Sequence, residues 1–350
     1  THMVFVHDGT KDIIYKNGVQ IAEKNVAGTL NITTRPLGIG YNPIDLGNYF
    51  KGSLDEVRIY NTALTSAQIA TLYASQNMAP NIPSSLVAHY SFANNTLDGT
   101  SFGNHAAAKD LTPATDRFGF GNSAFAFNGT SSEMTADNSA QLNSNFTTVS
   151  FWVKPNSLPT SGEAFLMSFG GWQERWKISL PNHGKPVWTT NNISGISDMD
   201  SGGGNELVPG QWDHLVFVHD GSKNLIYKNG VKVAEKNVSG AMNSTTYPLG
   251  IGYNPIDGGN YFDGVIDEVQ IYNYPLSATD IADLYTAQSA FPGTAGELVA
   301  EYHFAGNAND SSPFGNNATV EGASLTKNRF GYAANAYQFT GAESITAANS

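Results

Sequence analysis

The chain has no cysteine among its 350 residues. Disulfides are excluded, so any stapling must come from packing or from a metal. Charged residues are scarce, at 14 %, and the formal net charge is −12. No basic stripe or Lys/Arg run occurs, which argues against a nucleic-acid partner. No apolar run is long enough to cross a bilayer, so direct membrane insertion is not expected. Catalytic signatures are also missing. There is no Gly-x-Ser-x-Gly elbow and no phosphate loop, and Gly250-Ile251-Gly252 lacks the rest of a dinucleotide fingerprint. No two histidines have metal-ligand spacing, and they read as structural. The acidic balance is compatible with calcium binding, although most acidic surfaces are simply soluble ones.

What the chain does have is a long internal repeat. His2-Met3-Val4-Phe5-Val6-His7-Asp8-Gly9 returns as His214-Leu215-Val216-Phe217-Val218-His219-Asp220-Gly221. Leu86-Val87-Ala88 returns as Leu298-Val299-Ala300, and Arg117-Phe118-Gly119 as Arg329-Phe330-Gly331. The offset is 212 residues each time. A period of that length means tandem whole domains. The expected organisation is the C-terminal part of one repeat over 1–76, a complete repeat over 84–289, and the N-terminal part of the next over 297–350. Nothing in the two terminal segments corresponds to residues 140–212. A sandwich lacking those strands would have open edges and a split core. The residues therefore read as a window on a longer repetitive chain.

Local signals are those of an all-β protein. Asn17-Gly18 and Asn229-Gly230 each sit between β-branched runs, and Asn-Gly supplies the positive φ angles of a type I′ hairpin. Val149, Phe151 and Val153 alternate with Ser150, Trp152 and Lys154, giving a strand with two distinct faces. Many short strands separated by Gly, Asn, Asp and Ser clusters indicate an antiparallel sandwich. One short helix is expected near the end of each repeat. Thr65 with Gln68, and Ser277 with Asp280, have capping-box spacing. Short Pro-containing linkers follow, Asn77 to Pro83 and Ser289 to Gly293, and should hold neighbouring repeats semi-rigidly.

The ordered set of motifs resembles a laminin-G-like jelly roll of the concanavalin A-like lectin/glucanase superfamily, in its bacterial multi-repeat form. It runs from Leu86-Val87-Ala88-His89-Tyr90 through Asp116-Arg117-Phe118-Gly119, Phe127-Asn128-Gly129 and Val149 to Pro155. It continues through Trp212 to Gly230 and closes with Phe262-Asp263-Gly264-Val265-Ile266-Asp267-Glu268 and the strand after it. The resemblance implies a two-sheet antiparallel jelly-roll sandwich repeated in tandem. It also implies an extracellular or cell-surface location and a mostly non-catalytic role, with carbohydrate or protein as partner. A structural Ca2+ joining the two ends of the fold is implied as well, with carboxylates from Asp98 and Asp267 and the carbonyl of Gly129. The alternative for Asp267 is a turn cap.

A glucanase needs two acids spaced to flank a glycosidic bond. The nearest candidates, Asp55-Glu56 and Asp267-Glu268, are adjacent, so regular strand alternation would point them to opposite faces. Aromatics are the better ligand signal. Trp176 alternates with Ile178 and reads as core, whereas Trp172 follows Gly170-Gly171 and reads as surface. Tyr253, Asn254, Asp257 and Tyr261 lie in a Gly/Asn-rich loop that recurs as Gly40 to Asp45. Sugar binding and a repeated turn geometry both fit that recurrence. Asp198 to Glu206 starts like a calcium loop without completing one, and a hairpin loop fits better. The expected function is a non-catalytic adhesin or surface filament whose partners are neighbouring repeats, glycans or cell-surface proteins. The alternative is a carbohydrate-binding module serving a separate catalytic region.

Overall fold

A computed structural model describes residues 1–77, 85–92, 95–100, 102–119, 121–289, 298–304, 306–310, 312, 314–329 and 334–348. Most of both expected linkers, including Pro80 and Pro292, lies outside the described residues. The first strands are β1 (Met3–His7), β2 (Lys11–Lys16), β3 (Val19–Asn25), β4 (Leu37–Ile39), β5 (Lys51–Leu54) and β6 (Val57–Tyr60), followed by helix α1 (Ser66–Asn77). Next come β7 (Leu86–Tyr90), β8 (Ala106–Lys109), β9 (Thr112–Ala114), β10 (Ala124–Asn128), β11 (Glu133–Ala136), β12 (Thr147–Pro155) and β13 (Glu163–Phe169). The short helix α2 (Gly171–Glu174) precedes β14 (Trp176–Pro181), β15 (Val187–Asn192), β16 (Gly195–Asp200) and β17 (Asp213–His219). Then follow β18 (Lys223–Lys228), β19 (Val231–Asn237), β20 (Leu249–Ile251), β21 (Asp263–Tyr272) and helix α3 (Ala278–Ser289). The last strands are β22 (Leu298–Tyr302), β23 (Ala318–Glu321), β24 (Ser324–Thr326), β25 (Ala336–Thr340) and β26 (Ser344–Ala347).

The fold is all-β and the paired strands are antiparallel, as expected of a jelly-roll sandwich. The local signals act as the chemistry dictates. Asn17 and Asn229 have φ of 53° and 52°, with glycines at positive φ after them, so both hairpins are type I′. Thr65 N donates to Gln68 Oε1 at 2.8 Å and Gln68 N to Thr65 Oγ1 at 3.2 Å. Ser277 and Asp280 exchange the same pair of bonds. These reciprocal caps satisfy amides that the first helical turn leaves without partners.

The contacts divide the described residues into two units. The middle unit takes those of 85–117 and 121–285, and the terminal unit takes those before 78 and from 286 on, with 118–119. In the middle unit one sheet runs β19-β18-β17-β12-β21-β10-β9, with β7 also paired to β21. The facing sheet runs β16-β15-β14-β13-β20-β11-β8. One continuous core fills the space between them, with Val149, Phe151 and Val153 of β12 beside Phe217, Ile266, Ile178 and both Trp176 and Trp188. Strand β12 is covered on its other face too. Trp152 stacks on His214 at 5.2 Å and on Tyr285 of α3 at 5.8 Å, and the Arg117 guanidinium lies over its ring at 4.8 Å.

The terminal unit is assembled from both ends of the sequence. Strand β22 pairs with β6, β26 with β4, and β25 with β5. These are the pairings that β7, β11 and β10 make in the middle unit, shifted by the repeat. The sheet is interrupted, however. Strands β1-β2-β3 form one piece, β22-β6 a second, and β24-β25-β5 a third. The core is divided in the same way. One cluster gathers Val6, Tyr15, Leu64, Ile69 and Leu72, and another gathers Ile39, Tyr302, Phe304, Phe339 and Ile345. Phe5 is 72 % exposed, whereas its counterpart Phe217 is fully buried.

An ion cluster fills the outer side of the terminal unit. Arg58 donates to Glu301 and, at 3.1 Å, to Glu56. His303 Nδ1 lies 3.2 Å from Glu56. His303 is held charged well above its ordinary range by Glu301 and Glu56, against the cost of burial. His303 and the arginines draw Glu56 down to about 2, and Glu301 is also lowered by Arg58 and His303. The lowered acids contribute stability above pH 4.5 that is lost on acidification, and His303 contributes stability below pH 6.5 that is lost on the alkaline side. The middle unit has Ser91 where the terminal unit has His303.

Two measurements check this account. All five tryptophans, at 152, 172, 176, 188 and 212, lie in the middle unit, so their fluorescence reports that unit. Phe217→Ala should cost about 3–5 kcal/mol in tryptophan-monitored urea unfolding, because it empties a buried site. Phe5→Ala should change stability by about 0.5 kcal/mol or less. Separately, melting of the terminal unit followed by circular dichroism should be highest at about pH 5–6, and His303→Ser should flatten the alkaline limb. A pH profile that tracks tryptophan fluorescence instead would place the cluster's contribution elsewhere.

Candidate functional site

An open groove of about 550 Å3 lies in the middle unit. Gln173, Glu174, Asn243, Ser244, Thr245 and Thr246 line it. Its shape depends on two glycines. Gly170 has φ of 72°, and a Cβ there would lie 2.5 Å from Thr245 Oγ1. At Gly171, φ 55°, a Cβ would lie 2.9 Å from Ile256 Cδ1. Only glycine tolerates both the left-handed backbone and the close approach. The tight turn that results leaves Trp172 46 % exposed at the start of α2.

Polar ties hold this corner rigid. Asn191 Nδ2 donates to the carbonyls of Trp172 and Gln173, at 3.2 and 2.8 Å. Asn243 Nδ2 donates to Asn191 Oδ1 at 3.0 Å, and Thr245 Oγ1 to Glu174 Oε2 at 2.5 Å. Beneath them the buried Arg175 donates to the carbonyls of Asn243, Leu142 and Ser144. Burial pulls its guanidinium down to about 10, still far above neutrality. Arg175 is therefore a fixed cation that clamps two loops by three carbonyls. The groove offers amide, hydroxyl and carboxylate groups, which suit a polyhydroxyl ligand; Trp172, next in sequence to Gln173, is exposed but does not line it.

The residues expected to bind ligand separate into two places. Trp172 is exposed as expected, and Trp176 and Trp188 are buried in the core. Tyr253 and Tyr261 stack at 6.4 Å, but their hydroxyls bond Thr135 and Glu133 of β11 or its start. Asn254 is buried, and its Oδ1 accepts from Ile256 N at 3.0 Å. That bond makes an Asx turn, and Asn42 makes the same bond to Ile44 in the other repeat. Asp257 is exposed at the loop tip. None of these four lines the groove beside Trp172. Sequence reasoning missed Gln173, Glu174, Asn243 and Thr245. The one available signal was the polar run Asn243 to Thr246 arriving opposite a Gly-Gly-Trp turn.

The residues expected to hold calcium have other partners. Asp98 Oδ1 accepts from the amides of His89 and Thr100, both at 2.9 Å. Its Oδ2 accepts from Thr100 Oγ1 and Asn104 N, both at 2.8 Å. Asp310 makes the matching four bonds in the other repeat. Asp267 Oδ2 accepts from Arg117 at 2.6 Å, and Asp55 pairs with Arg329 at 2.8 Å. Gly129 N donates to Phe262 O at 2.9 Å. A calcium ion at Asp267 would sit beside a guanidinium, and Asp98 has no oxygen without two donors already on it. Asp267 Oδ1, however, is buried with no hydrogen-bond partner among the described residues. Glu56, Glu301 and His303 also converge closely, but Arg58 and the protonated His303 already supply their positive charge.

The paired acids do not face opposite ways. Glu268 has φ of 50°, and the β12–β21 register shifts between Ser150 and Trp152. This β-bulge places two residues of β21 opposite one of β12, so alternation is interrupted there. Ile266 and Val269 point into the core, and both Asp267 and Glu268 face outward. Asp267 pairs with Arg117, and Glu268 Oε2 lies 3.0 Å from His89 Nε2 in a hydrogen bond. Burial pushes the Asp267 carboxyl well up, with Arg117 pulling against it, and Asp55 rises to about 6 for the same reason. The histidines are structural. His219 bonds Asn224 and the Gly240 carbonyl, His7 bonds Asp12 and the Gly28 carbonyl, and His214 bonds Ser150.

Two antiparallel sheets enclosing one core, with a polar groove built from end loops, define a lectin-type β-sandwich. The model of the concanavalin A-like lectin/glucanases superfamily matches residues 1–70 and 128–282, and the chain belongs to that superfamily. No curated protein matches the chain. Among solved structures, domain 4 of AbnA, a GH43 extracellular arabinanase from Geobacillus stearothermophilus in complex with arabinotriose, is 27 % identical. That likeness covers 57 % of this chain and 98 % of the arabinanase domain, with a TM-score of 0.45. The binding domain of Paraclostridial Mosquitocidal Protein 1 is 15 % identical over 71 % of this chain, with a TM-score of 0.51. A structure reported for botulinum neurotoxin type C, whose cell entry is dependent upon interaction with two ganglioside molecules, is 14 % identical over 71 % of this chain, with a TM-score of 0.48. The chain spans 66 % and 58 % of those two toxin structures. No helix among the described residues is long and apolar enough to cross a membrane.

The metal question has a direct check. Chelator should leave the melting curve unchanged in metal-free buffer. Asp98→Ala should cost about 3 kcal/mol or more, with or without chelator, because it strands buried amides without an acceptor. A chelator-sensitive melt that Asp267→Ala makes insensitive would restore the calcium reading.

Proposed function

We propose that the middle unit is a non-catalytic glycan-binding module of an extracellular protein, with Trp172 and the adjoining groove as its ligand contact. The observation that carries this is a polar groove lined by Gln173, Glu174, Asn243 and Thr245, reached in sequence directly after the half-exposed Trp172. Sugar rings offer an apolar C–H face to an aromatic ring and hydroxyls to amides and carboxylates. The rigid Asn191–Asn243–Arg175 framework lowers the ordering cost of binding. Hydrolysis needs a pair of carboxylates free to reach a glycosidic oxygen and the opposite ring face. Asp55, Glu56, Asp267 and Glu268 are all committed to arginine or histidine, which favours binding over catalysis.

A second reading concerns the whole chain. The 212-residue repeat favours an array of such modules, as in an adhesin or a filament on a cell surface. The two readings are compatible, since linked weak sites gain avidity when they engage together.

A glycan array probed with the chain should show selective binding. Trp172→Ala should weaken the best ligand at least tenfold, with an unchanged circular dichroism spectrum. If the chain binds no glycan, or if Trp172→Ala binds as well as the parent, the site assignment fails and the structural repeat reading stands alone.

A further inference from the structure

The groove beside α2 is one-sided in charge. Among the described residues that line it, Glu174 is the only charged one. The cation next to it in sequence, Arg175, is fully buried. Arg175 Nη1 donates to the Asn243 carbonyl, and Nη2 donates to those of Leu142 and Ser144. Its guanidinium also lies 5.5 Å from the centre of the Phe169 ring. Arginine recognises a carboxylate or sulfate by presenting its fork of N–H groups, and here the fork is turned to backbone beneath the groove. An anionic ligand in the groove therefore meets a carboxylate and no accessible cation.

The hydrogen-bond polarity leans the same way. Thr245 Oγ1 spends its one hydrogen on Glu174 Oε2, at 2.5 Å. The same oxygen accepts from Tyr247 N at 3.1 Å, so Thr245 keeps at most a lone pair for a ligand. One amide hydrogen of Asn243 goes to Asn191 Oδ1 at 3.0 Å, which fixes the orientation of that amide. Glu174 is held from two sides, by the Thr245 hydroxyl and by its own backbone N, which donates to Gly170 O at 2.9 Å. The strongest fixed acceptor in the groove is thus a carboxylate with lone pairs still to fill. A sugar hydroxyl can donate to it. A carboxylate, sulfate or phosphate group on a sugar can only accept, and like charges brought together in a recognition site turn the wrong partner away. Gln173, Ser244 and Thr246 add neutral amide and hydroxyl groups, which bond hydroxyls in either direction.

We propose, resting on the glycan-binding reading of this groove, that Glu174 sets its specificity: neutral sugars are admitted, and sugars carrying a carboxylate, sulfate or phosphate are rejected. Hydroxyls of a neutral sugar donate to the Glu174 carboxylate in charge-assisted bonds, which are roughly twice as strong as bonds between neutral groups. One carboxylate can accept from two neighbouring hydroxyls, so a vicinal diol is the preferred contact. The same charge repels an acidic sugar at the same place. Because the groove is open to solvent, salt screens that repulsion.

The test probes the full chain with an array of matched pairs, each an uncharged oligosaccharide beside the same backbone carrying a uronic acid, a sulfate or a sialic acid. Neutral members should bind about tenfold or more tightly than their acidic partners at low salt. The gap should narrow in about 1 M salt. Glu174→Gln keeps the shape of the side chain and an acceptor for Thr245. It should weaken the neutral member and tighten the acidic one, so that their ratio falls about tenfold. A merely structural role would weaken both, and circular dichroism with tryptophan fluorescence checks that the variant is folded. Acidic members that bind as tightly as neutral ones overturn the proposal and leave the glycan-binding reading standing. So does a ratio that Glu174→Gln leaves unchanged. If no glycan binds at all, the glycan-binding reading fails and this specificity fails with it.

Discussion

A strand in the middle of a sheet needs a neighbour on each edge and cover on each face, and β12 of the middle unit has all four. Strands β17 and β21 bond its edges. The facing sheet covers Val149, Phe151 and Val153, while His214, Tyr285 and Arg117 cover Trp152. The consequences of this strand are visible by comparison within one chain. The terminal unit repeats β17 as β1 and most of β21 as β5 and β6, with no strand between them among its described residues. Its sheet is in pieces, its core is in separate clusters, and Phe5 stands in solvent where Phe217 is buried. Nearly the same local sequence thus gives a core residue in one place and a surface residue in the other, because burial is decided by what arrives across the sheet.

The outer face of that sheet has its own rule. A bulge at Glu268, matched by the left-handed Glu56, rotates the strand so that two consecutive acids leave the core side together. Buried or half-buried carboxylates need compensating charge. The chain supplies Arg117 in one unit, with His89 hydrogen-bonded to Glu268, and Arg329, Arg58 and His303 in the other. The ion pairs and the bulge therefore belong to one arrangement.

Binding chemistry falls on the loops, where the sandwich leaves backbone and side chains free of ladder duty. The corner holding Trp172 is nonetheless stiff. Two left-handed glycines set the turn, and Arg175 gathers three carbonyls from two separate segments beneath it. A rigid scaffold under an exposed aromatic loses little entropy when a ligand docks.

Much of this was legible in the sequence. Asn-Gly turns, capping boxes and the alternation in β12 act over a few residues, so local chemistry fixes them wherever they occur. The repeat and the ordered motifs gave the jelly-roll class for the same reason, as did the core positions of Trp176 and the exposure of Trp172. The rest depended on residues far apart in the chain. The sequence did not show that four amide or hydroxyl donors meet Asp98, or that a guanidinium 150 residues away meets Asp267. The bulge that turned Asp267 and Glu268 to one side exists only as a register between β12 and β21. The groove needed Asn243 and Thr245 to come against α2. The sequence by itself determined what each segment can be, because turns, caps and alternation are short-range. Only the tertiary structure decided which faces were covered and which charges were paired, because those depend on the neighbours that long-range packing brings.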